Sequence, residues 1–228
     1  MSEKKQKIID LLSEKSVTKQ IVYHNTLNVF KELKTHLQEI IKHIKTNVKD
    51  FEKEVRVSYN DKGLFEAEIA FGGDILVFSM HTNVFSFNQN HAVYNTEYVK
   101  ENKGRIFCGI IHIYNFLADS LKYGRKHDSG FLIGRVFINK EYDFFVEGKH
   151  QLGYPFNTYG DKCIDKEALT NIIESAIIYS LEFDLLTPPI EAIQEISVMQ
   201  KIEQSGILAI KTGKRLGFRF TAENDQNK

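Results

Sequence analysis

The sequence predicts an α+β domain with N-terminal helices, a central, mostly antiparallel sheet of five to seven strands, and a buried helix packed across one face. Three observations support this fold class. Apolar residues first recur at helical spacing, then alternate with polar ones, and a strongly apolar helical stretch follows. No Pro-, Gly- or Ser-rich linker interrupts the 228 residues, so we expect one domain over 1–222 and a frayed tail at 223–228.

The first segment, residues 1–50, is predicted to be helical because apolar residues return every three or four positions. The stripe comprises Phe30, Leu33, Leu37, Ile40, Ile44 and Val48. Two arrangements fit this stripe. The helix could cover the sheet, or the stripe could form a coiled-coil-like seam that joins two copies of the chain through their N-terminal helices.

The second segment, residues 51–150, is predicted to be the sheet. We expect consecutive antiparallel strands at 53–59, 64–71 and 74–81, because the turns between them are too short for the crossover that parallel strands need. Residues 83–104 form a long Asn-rich connection. Three further strands are then predicted, at 106–114, 130–138 and 142–146.

The third segment, residues 151–222, is predicted to supply the buried helix at 166–186, with Asp165 as its N-cap, and a closing hairpin. Residues 190–204 fit a helix and a strand equally well. The order of helix, meander, long connection, strands and helix resembles the general layout of PAS- and GAF-type sensor domains.

Composition excludes several classes of protein. Thirty basic residues balance thirty acidic ones, which argues against a protein that grips nucleic acid through a basic face. No apolar run approaches the length of a membrane span. The two cysteines, Cys108 and Cys163, are too few for a secreted disulfide framework, so a cytoplasmic protein is expected.

A ligand pocket is the first candidate site. Aromatic and amide side chains concentrate in the long connection and just before the buried helix, and pockets have this composition of apolar walls with a few polar anchors. The candidate ligand-binding residues are Phe85, Phe87, His91, Tyr94, Tyr98, Tyr154 and Phe156. The alternative interpretation is a second, smaller core beneath the long connection. The pattern favours a non-catalytic binding or regulatory protein for an unknown small molecule or protein partner.

A metal-dependent hydrolase or nuclease is the second hypothesis. Asp128, Glu147 and Lys149 follow the order of an Asp and an E-x-K on a hairpin. The expected offset of about five residues, at about 3.3 Å each, separates the two carboxylates unless a bulge intervenes. Whether the protein is an enzyme therefore stays open, as does a third hypothesis, an interaction subunit of an assembly.

Metal and anion sites were also considered. No H-E-x-x-H or paired-cysteine motif is present, and we expect neither a resident metal nor a cofactor. His112 alternates with Ile110 and Tyr114 in a predicted strand, which favours a packed histidine over a ligand. A basic cluster on the predicted last hairpin is a candidate anion-binding site, formed by Lys211, Lys214, Arg215 and Arg219.

Overall fold

The computed structural model describes residues 2–48, 55–126, 128–149, 152–185, 187, 189–195 and 197–199. Its helices are α1 (Glu3–Asp10), α2 (Val17–Asn47), α3 (Glu97–Glu101), α4 (Ala118–Lys122), α5 (Lys166–Leu181) and α6 (Ile190–Ile193). Its strands are β1 (Val57–Asp61), β2 (Glu66–Phe71), β3 (Asp74–Met80), β4 (Gly109–Leu117), β5 (Phe131–Ile138) and β6 (Phe144–Gly148). The predicted α+β fold with an antiparallel sheet is confirmed.

The N-terminal helices form one continuous run. A π-helical segment, Leu11–Ser16, joins α1 to α2, so helical structure extends from Glu3 to Asn47. Phe30, Leu33 and Leu37 of α2 are buried in the main core against the sheet. Of the two arrangements that fit the stripe, the structure therefore shows the helix that covers the sheet.

The six strands are ordered β1-β2-β3-β4-β5-β6, and every neighbouring pair is antiparallel. The three predicted strands of the first meander are confirmed, with shifted ends, although residues 53 and 54 lie outside the described residues. Phe71 pairs with Asp74 across a two-residue turn. Gly72 in that turn has φ +56°, a conformation that favours glycine.

Alternation along the strands gives the sheet two different faces. Leu76 and Phe78 of β3 belong to the main core with α2 and α5, whereas Ile75 and Val77 belong to a separate cluster on the opposite face. We call that opposite face the open face, because α2 and α5 both pack on the other side. Residues directly opposite each other in the register share a face. The register therefore shows which residues of the other strands lie on the open face.

The buried helix is confirmed as α5. Asp165 caps it, because the Asp165 carboxylate accepts a hydrogen bond from the main-chain N–H of Ala168 at 2.8 Å. Ile173 and Ala176 are inaccessible, and Ile177 is 6% exposed. The helix ends at Leu181, not Leu186. Leu181 is already 59% exposed, so burial against the core no longer stabilises a helix beyond it.

The long connection between β3 and β4 is ordered in short helical pieces. Besides α3, the segments Ala92–Asn95 and Lys103–Ile106 form 3-10 turns. Their N-caps are His91 and Asn102, whose side chains accept hydrogen bonds from the main-chain N–H two residues later. The sequence prediction of an irregular connection missed these pieces, because each is too short to show a helical period.

Two further predictions concern the C-terminal part. Residues Ile190–Ile193 are helical, which settles the start of the ambiguous 190–204 stretch. The predicted last hairpin lies outside the described residues. Among the residues that the structure describes, no helix is long and apolar enough to span a bilayer.

Candidate functional site

A row of polar side chains crosses the open face. Direct cross-strand pairing links Glu66 to Ser79, Ser79 to His112, His112 to Arg135, and Arg135 to Glu147. We call these five residues the polar row. Because neighbouring strands lie about 4.8 Å apart, the row extends about 19 Å across strands β2 to β6. All five side chains are partly exposed, so the row is accessible from solvent.

The row ends in a charged group at β6. One oxygen of Glu147 accepts a short hydrogen bond from the Arg135 guanidinium. The other oxygen lies 3.4 Å from Nε2 of His91, which comes from the long connection. The Arg135 guanidinium also lies 5.3 Å from the centre of the Phe137 ring. Arg135 and His91 thus contact the Glu147 carboxylate, one at each oxygen.

The middle of the row is neutral at physiological pH. Partial burial lowers the pKa of His112, and the positive Arg135 and the neighbouring His81 lower that pKa further. The rings of His81 and Tyr114 lie 6.4 and 5.7 Å from the His112 ring. His112 therefore presents an uncharged imidazole that can both donate and accept a hydrogen bond. The sequence analysis favoured a packed histidine, and the structure shows His112 half-buried between His81 and Tyr114 on the open face.

Apolar groups border the polar row on both sides. Toward α4, Ile75 and Val77 are covered by the partly buried rings of Tyr114 and Phe116. On the other side lies an aromatic cluster of Phe87, His91, Tyr98, Phe137, Phe145 and Tyr159. Its rings are in mutual contact, with centroids 4.7 Å apart for Phe137 and Phe145 and 5.1 Å apart for Phe145 and Tyr159.

The structure divides the predicted ligand-binding residues among several places. Phe87, His91 and Tyr98 do come together in the aromatic cluster, through Phe145 and Tyr159. Phe85 and Tyr94 lie at its edge. Phe85 is partly exposed with its ring on His81, and the Tyr94 hydroxyl donates to the Phe87 carbonyl at 3.1 Å.

Two predicted pocket residues are not part of this arrangement. Phe156 packs against Phe144 on the helix side of the sheet, with ring centroids 6.0 Å apart. The side chain of Tyr154 lies outside the described part of the structure. The aromatic side chains of the long connection therefore pack as a second core on the open face, which is the alternative that the sequence left open.

Tyr98 links the aromatic cluster to the β5–β6 turn. Its hydroxyl donates to Glu141 at 3.0 Å and accepts from the Asn139 amide at 2.9 Å. The Arg105 guanidinium stacks on the Tyr98 ring at 4.0 Å and donates to the same Glu141 carboxylate at 2.9 Å. This satisfied network fixes the connection to the turn, so Tyr98 supports the fold around the site.

The residues of the nuclease hypothesis are not brought together. Asp128 accepts from Ser120 at 2.6 Å and lies 3.9 Å from Arg125, beside α4. Glu147 pairs with Arg135 and His91 on the open face. Lys149 comes after the end of β6 and borders a small cavity on the helix side, with Tyr179 and Asn115. Among the described residues, no group of three His, Cys, Asp or Glu side chains is placed to hold a metal ion.

The predicted anion-binding cluster of Lys211, Lys214, Arg215 and Arg219 lies outside the described residues. The polar row itself was missed by the sequence analysis. The alternation along each strand shows which of its residues share a face, but recognising the row requires the register between strands that are far apart in sequence.

Comparison with protein-family models, with curated proteins and with solved structures finds no match. The resemblance to PAS- and GAF-type domains stays a prediction.

Proposed function

We propose that this is a non-catalytic binding protein that recognises a polypeptide segment of another protein on the open face of its sheet. The observation that carries the proposal is the polar row between two apolar borders. An amphipathic polypeptide offers the matching combination of main-chain polar groups and apolar side chains. Exposed apolar patches beside polar residues mark interaction sites, whereas single exposed apolar residues are ordinary on a protein surface.

A polypeptide fits the open face better than an enclosed small molecule. The rings of the aromatic cluster contact one another, and their packing favours a surface over a ligand-sized cavity. One groove that the structure describes lies on the other side of the sheet, between α2 and α5, and is lined by Ile40 and Ile177.

Charge argues against nucleic acid as the partner. Arg135 is the only cation in the polar row, it is already paired with Glu147, and Glu66 lies at the other end. A phosphate backbone would meet more negative than positive charge there.

A non-catalytic role is supported by the chemistry of the groups nearby. Glu147 is engaged by Arg135 and His91, and burial raises the pKa of the Cys108 thiol to about 12. The cytoplasm is the setting that we propose, because Cys108 and Cys163 are both free thiols.

Photo-cross-linking in the host cell tests this proposal. A photoreactive phenylalanine analogue replaces Tyr114 on the open face, and in a matched control it replaces the exposed Leu181 of α5 on the helix side. We expect a cross-linked polypeptide from position 114 that is absent from position 181 and is lost in an Arg135→Ala background. Circular dichroism melting confirms that each variant is folded.

Two results would overturn the proposal. One is equal cross-linking from positions 114 and 181. The other is no polypeptide product from position 114, together with a small molecule retained by the wild-type protein in native mass spectrometry.

A further inference from the structure

A buried amide on the helix side of the sheet has no hydrogen-bond partner for its oxygen. Asn115 of β4 is 4% exposed, and its side-chain oxygen forms no hydrogen bond in the described part of the chain. The register places Asn115 between Leu76 of β3 and Phe131 of β5, which pack in or against the main core. An unpaired amide among apolar neighbours destabilises the folded state, because burial removes its hydrogen bonds to water.

Asn115 lines a cavity at the end of the helix layer. The cavity has a volume of about 70 Å³ and lies where α5 ends, since its wall includes Tyr179 of the last turn and Phe183 beyond that turn. Phe131 and Ile133 of β5 belong to the same wall. Sites for small molecules combine apolar walls of this kind with a few polar groups that fix the orientation of the ligand.

A single water molecule accounts poorly for this cavity. A buried water is retained by about two to four polar partners, and most of the wall is apolar. The volume exceeds the roughly 10–15 Å³ that one water needs, and it is less than half of the roughly 150 Å³ of a cavity that admits benzene. A short chain of a few heavy atoms therefore fits better than either a water or a ring.

Lys149 supplies the one charge among the described residues of the wall. Its side chain is exposed, and its ammonium group forms no ion pair in the part of the chain that the structure describes. Glu182 and Asp184, on either side of Phe183, are exposed to the screening solvent and are not part of the wall. An unpaired ammonium beside a cavity favours an anionic group such as a carboxylate.

We propose that this cavity binds a short, unbranched carboxylic acid that carries a hydroxyl group at its far end. The carboxylate pairs with Lys149, the carbon chain contacts the aromatic wall, and the hydroxyl group hydrogen-bonds to Asn115. A hydroxyl group suits this amide because it both donates and accepts, and a rotation of the amide by half a turn exchanges its oxygen and nitrogen. The site is separate from the open face, because Asn115 shares the helix side with Leu76, so the inference does not depend on the proposed function.

An NMR titration of the isotope-labelled full chain with 4-hydroxybutyrate tests the proposal. We expect a dissociation constant on the order of 1 mM, which is ordinary for a ligand of about seven heavy atoms. Butyrate lacks the hydroxyl group and 1,4-butanediol lacks the carboxylate, so each should bind about tenfold more weakly or worse. Absence of binding, equal affinity for butyrate, or tighter binding of 4-hydroxybenzoate, whose ring exceeds the cavity, would overturn the proposal.

The side-chain amide signals locate the bound molecule. Those of Asn115 are assigned by their loss in Asn115→Leu, and they should shift with occupancy of the site. Those of Asn25, whose amide is engaged by the Lys140 carbonyl, should stay in place. If Asn115 keeps its contact with a bound water at a saturating concentration of 4-hydroxybutyrate, the cavity holds water only and the proposal fails.

Variants separate the two ends of the ligand. Asn115→Leu keeps a side chain of similar volume and should abolish the preference for 4-hydroxybutyrate over butyrate. Lys149→Gln should weaken the binding of both acids alike, by about tenfold, whereas Lys122→Gln, the matched control on α4, should weaken neither. An unchanged preference in Asn115→Leu or unchanged affinities in Lys149→Gln would contradict the assignment. Circular dichroism melting checks the folding of each variant, and the wild-type titration decides the question if Asn115→Leu does not fold.

Discussion

Asn25, near the start of the buried part of α2, donates from Nδ2 to the main-chain carbonyl of Lys140 at 2.8 Å. The same nitrogen lies 3.3 Å from the carbonyl of Asn139. These hydrogen bonds join the N-terminal helix to the β5–β6 turn, 114 and 115 residues later in the chain. In the same turn, the Asn139 side-chain oxygen accepts from the main-chain N–H groups of Glu141 and Asp143. The Asn25 side chain therefore connects the helix layer to the network beneath the aromatic cluster.

Asn25→Ala should lower the free energy of unfolding by about 1–3 kcal/mol, because it leaves the partly buried Lys140 carbonyl without the Asn25 donor and removes one of the two donors to the Asn139 carbonyl. Urea denaturation measures the change. Asn28→Ala is the matched control on the same helix. Asn28 is exposed, and its amide lies 3.5 Å from the Tyr142 hydroxyl, which is at the long limit for a hydrogen bond. The control should change stability by less than about 0.5 kcal/mol. Equal effects of the two substitutions would show that the buried hydrogen bonds of Asn25 contribute nothing of their own.

Ile177→Ala should cost about 2–4 kcal/mol, because the residue is buried between α5 and the sheet and its truncation leaves a cavity. Its neighbour Ile178 is 46% exposed and provides the comparison. Ile178→Ala should cost less than about 1 kcal/mol. Thermal and urea unfolding of both variants measure the change in free energy of unfolding. A cost below about 0.5 kcal/mol for Ile177→Ala would show that Ile177 is not part of the core.

Gly109→Ala should destabilise the protein by about 1–3 kcal/mol through overpacking. A Cβ atom at Gly109 would overlap Thr26 Oγ1 and lie 2.8 Å from the Cβ and Cγ2 atoms of Thr26. The cost should shrink in a Thr26→Ala background, which a double-mutant cycle measures. Gly73→Ala serves as the control, because no atom lies within 4 Å of its added Cβ. An unchanged cost in the Thr26→Ala background would show that contact with Thr26 is not the source of the strain.

Asp143 should make stability depend on pH between about 4 and 6. Burial raises the pKa of its carboxyl from 3.8 to about 6, although the main-chain N–H of Gly160 donates to it at 2.9 Å. The folded state therefore binds the proton more tightly than the unfolded state. The resulting stability is present below about pH 4 and is lost as pH rises through 6.

Asp143→Asn should remove this dependence while its side-chain oxygen still accepts from Gly160. Relative to this variant, the wild-type protein should lose on the order of 1–2 kcal/mol between pH 4 and pH 7, a figure reduced for partial access of solvent. Denaturation curves of both proteins across that range provide the measurement. Parallel pH profiles would mean that Asp143 titrates alike in the folded and unfolded states.

The elements of the fold could be predicted from sequence because each follows a local pattern. The alternation at Glu66–Phe71 and the stripe of Phe30, Leu33 and Leu37 are such patterns, and the structure confirms both. The end of α5 was placed five residues too late, because an apolar sequence does not reveal where the sheet beneath it ends.

The candidate site could be predicted only in part. Phe87, His91 and Tyr98 do meet, but sequence could not show that their rings would contact each other instead of a ligand. His112 and Arg135 are 23 residues apart, and only the β4–β5 register makes them neighbours. A bulge at Ile113 and Tyr114 shifts that register by one residue, and no feature of the sequence announced the bulge.

The strand order also determines when each contact can form during synthesis on the ribosome. Every strand pairs with its predecessor in sequence, so the sheet can grow by one hairpin after another. The hydrogen bonds of Asn25 are different, because their acceptors are made 114 residues later. At about 5–20 residues per second, α2 waits roughly 6–23 s for that turn to be made. During this interval the nascent chain carries an incompletely covered apolar helix, and the β5–β6 hairpin fixes that helix in place once it has been made.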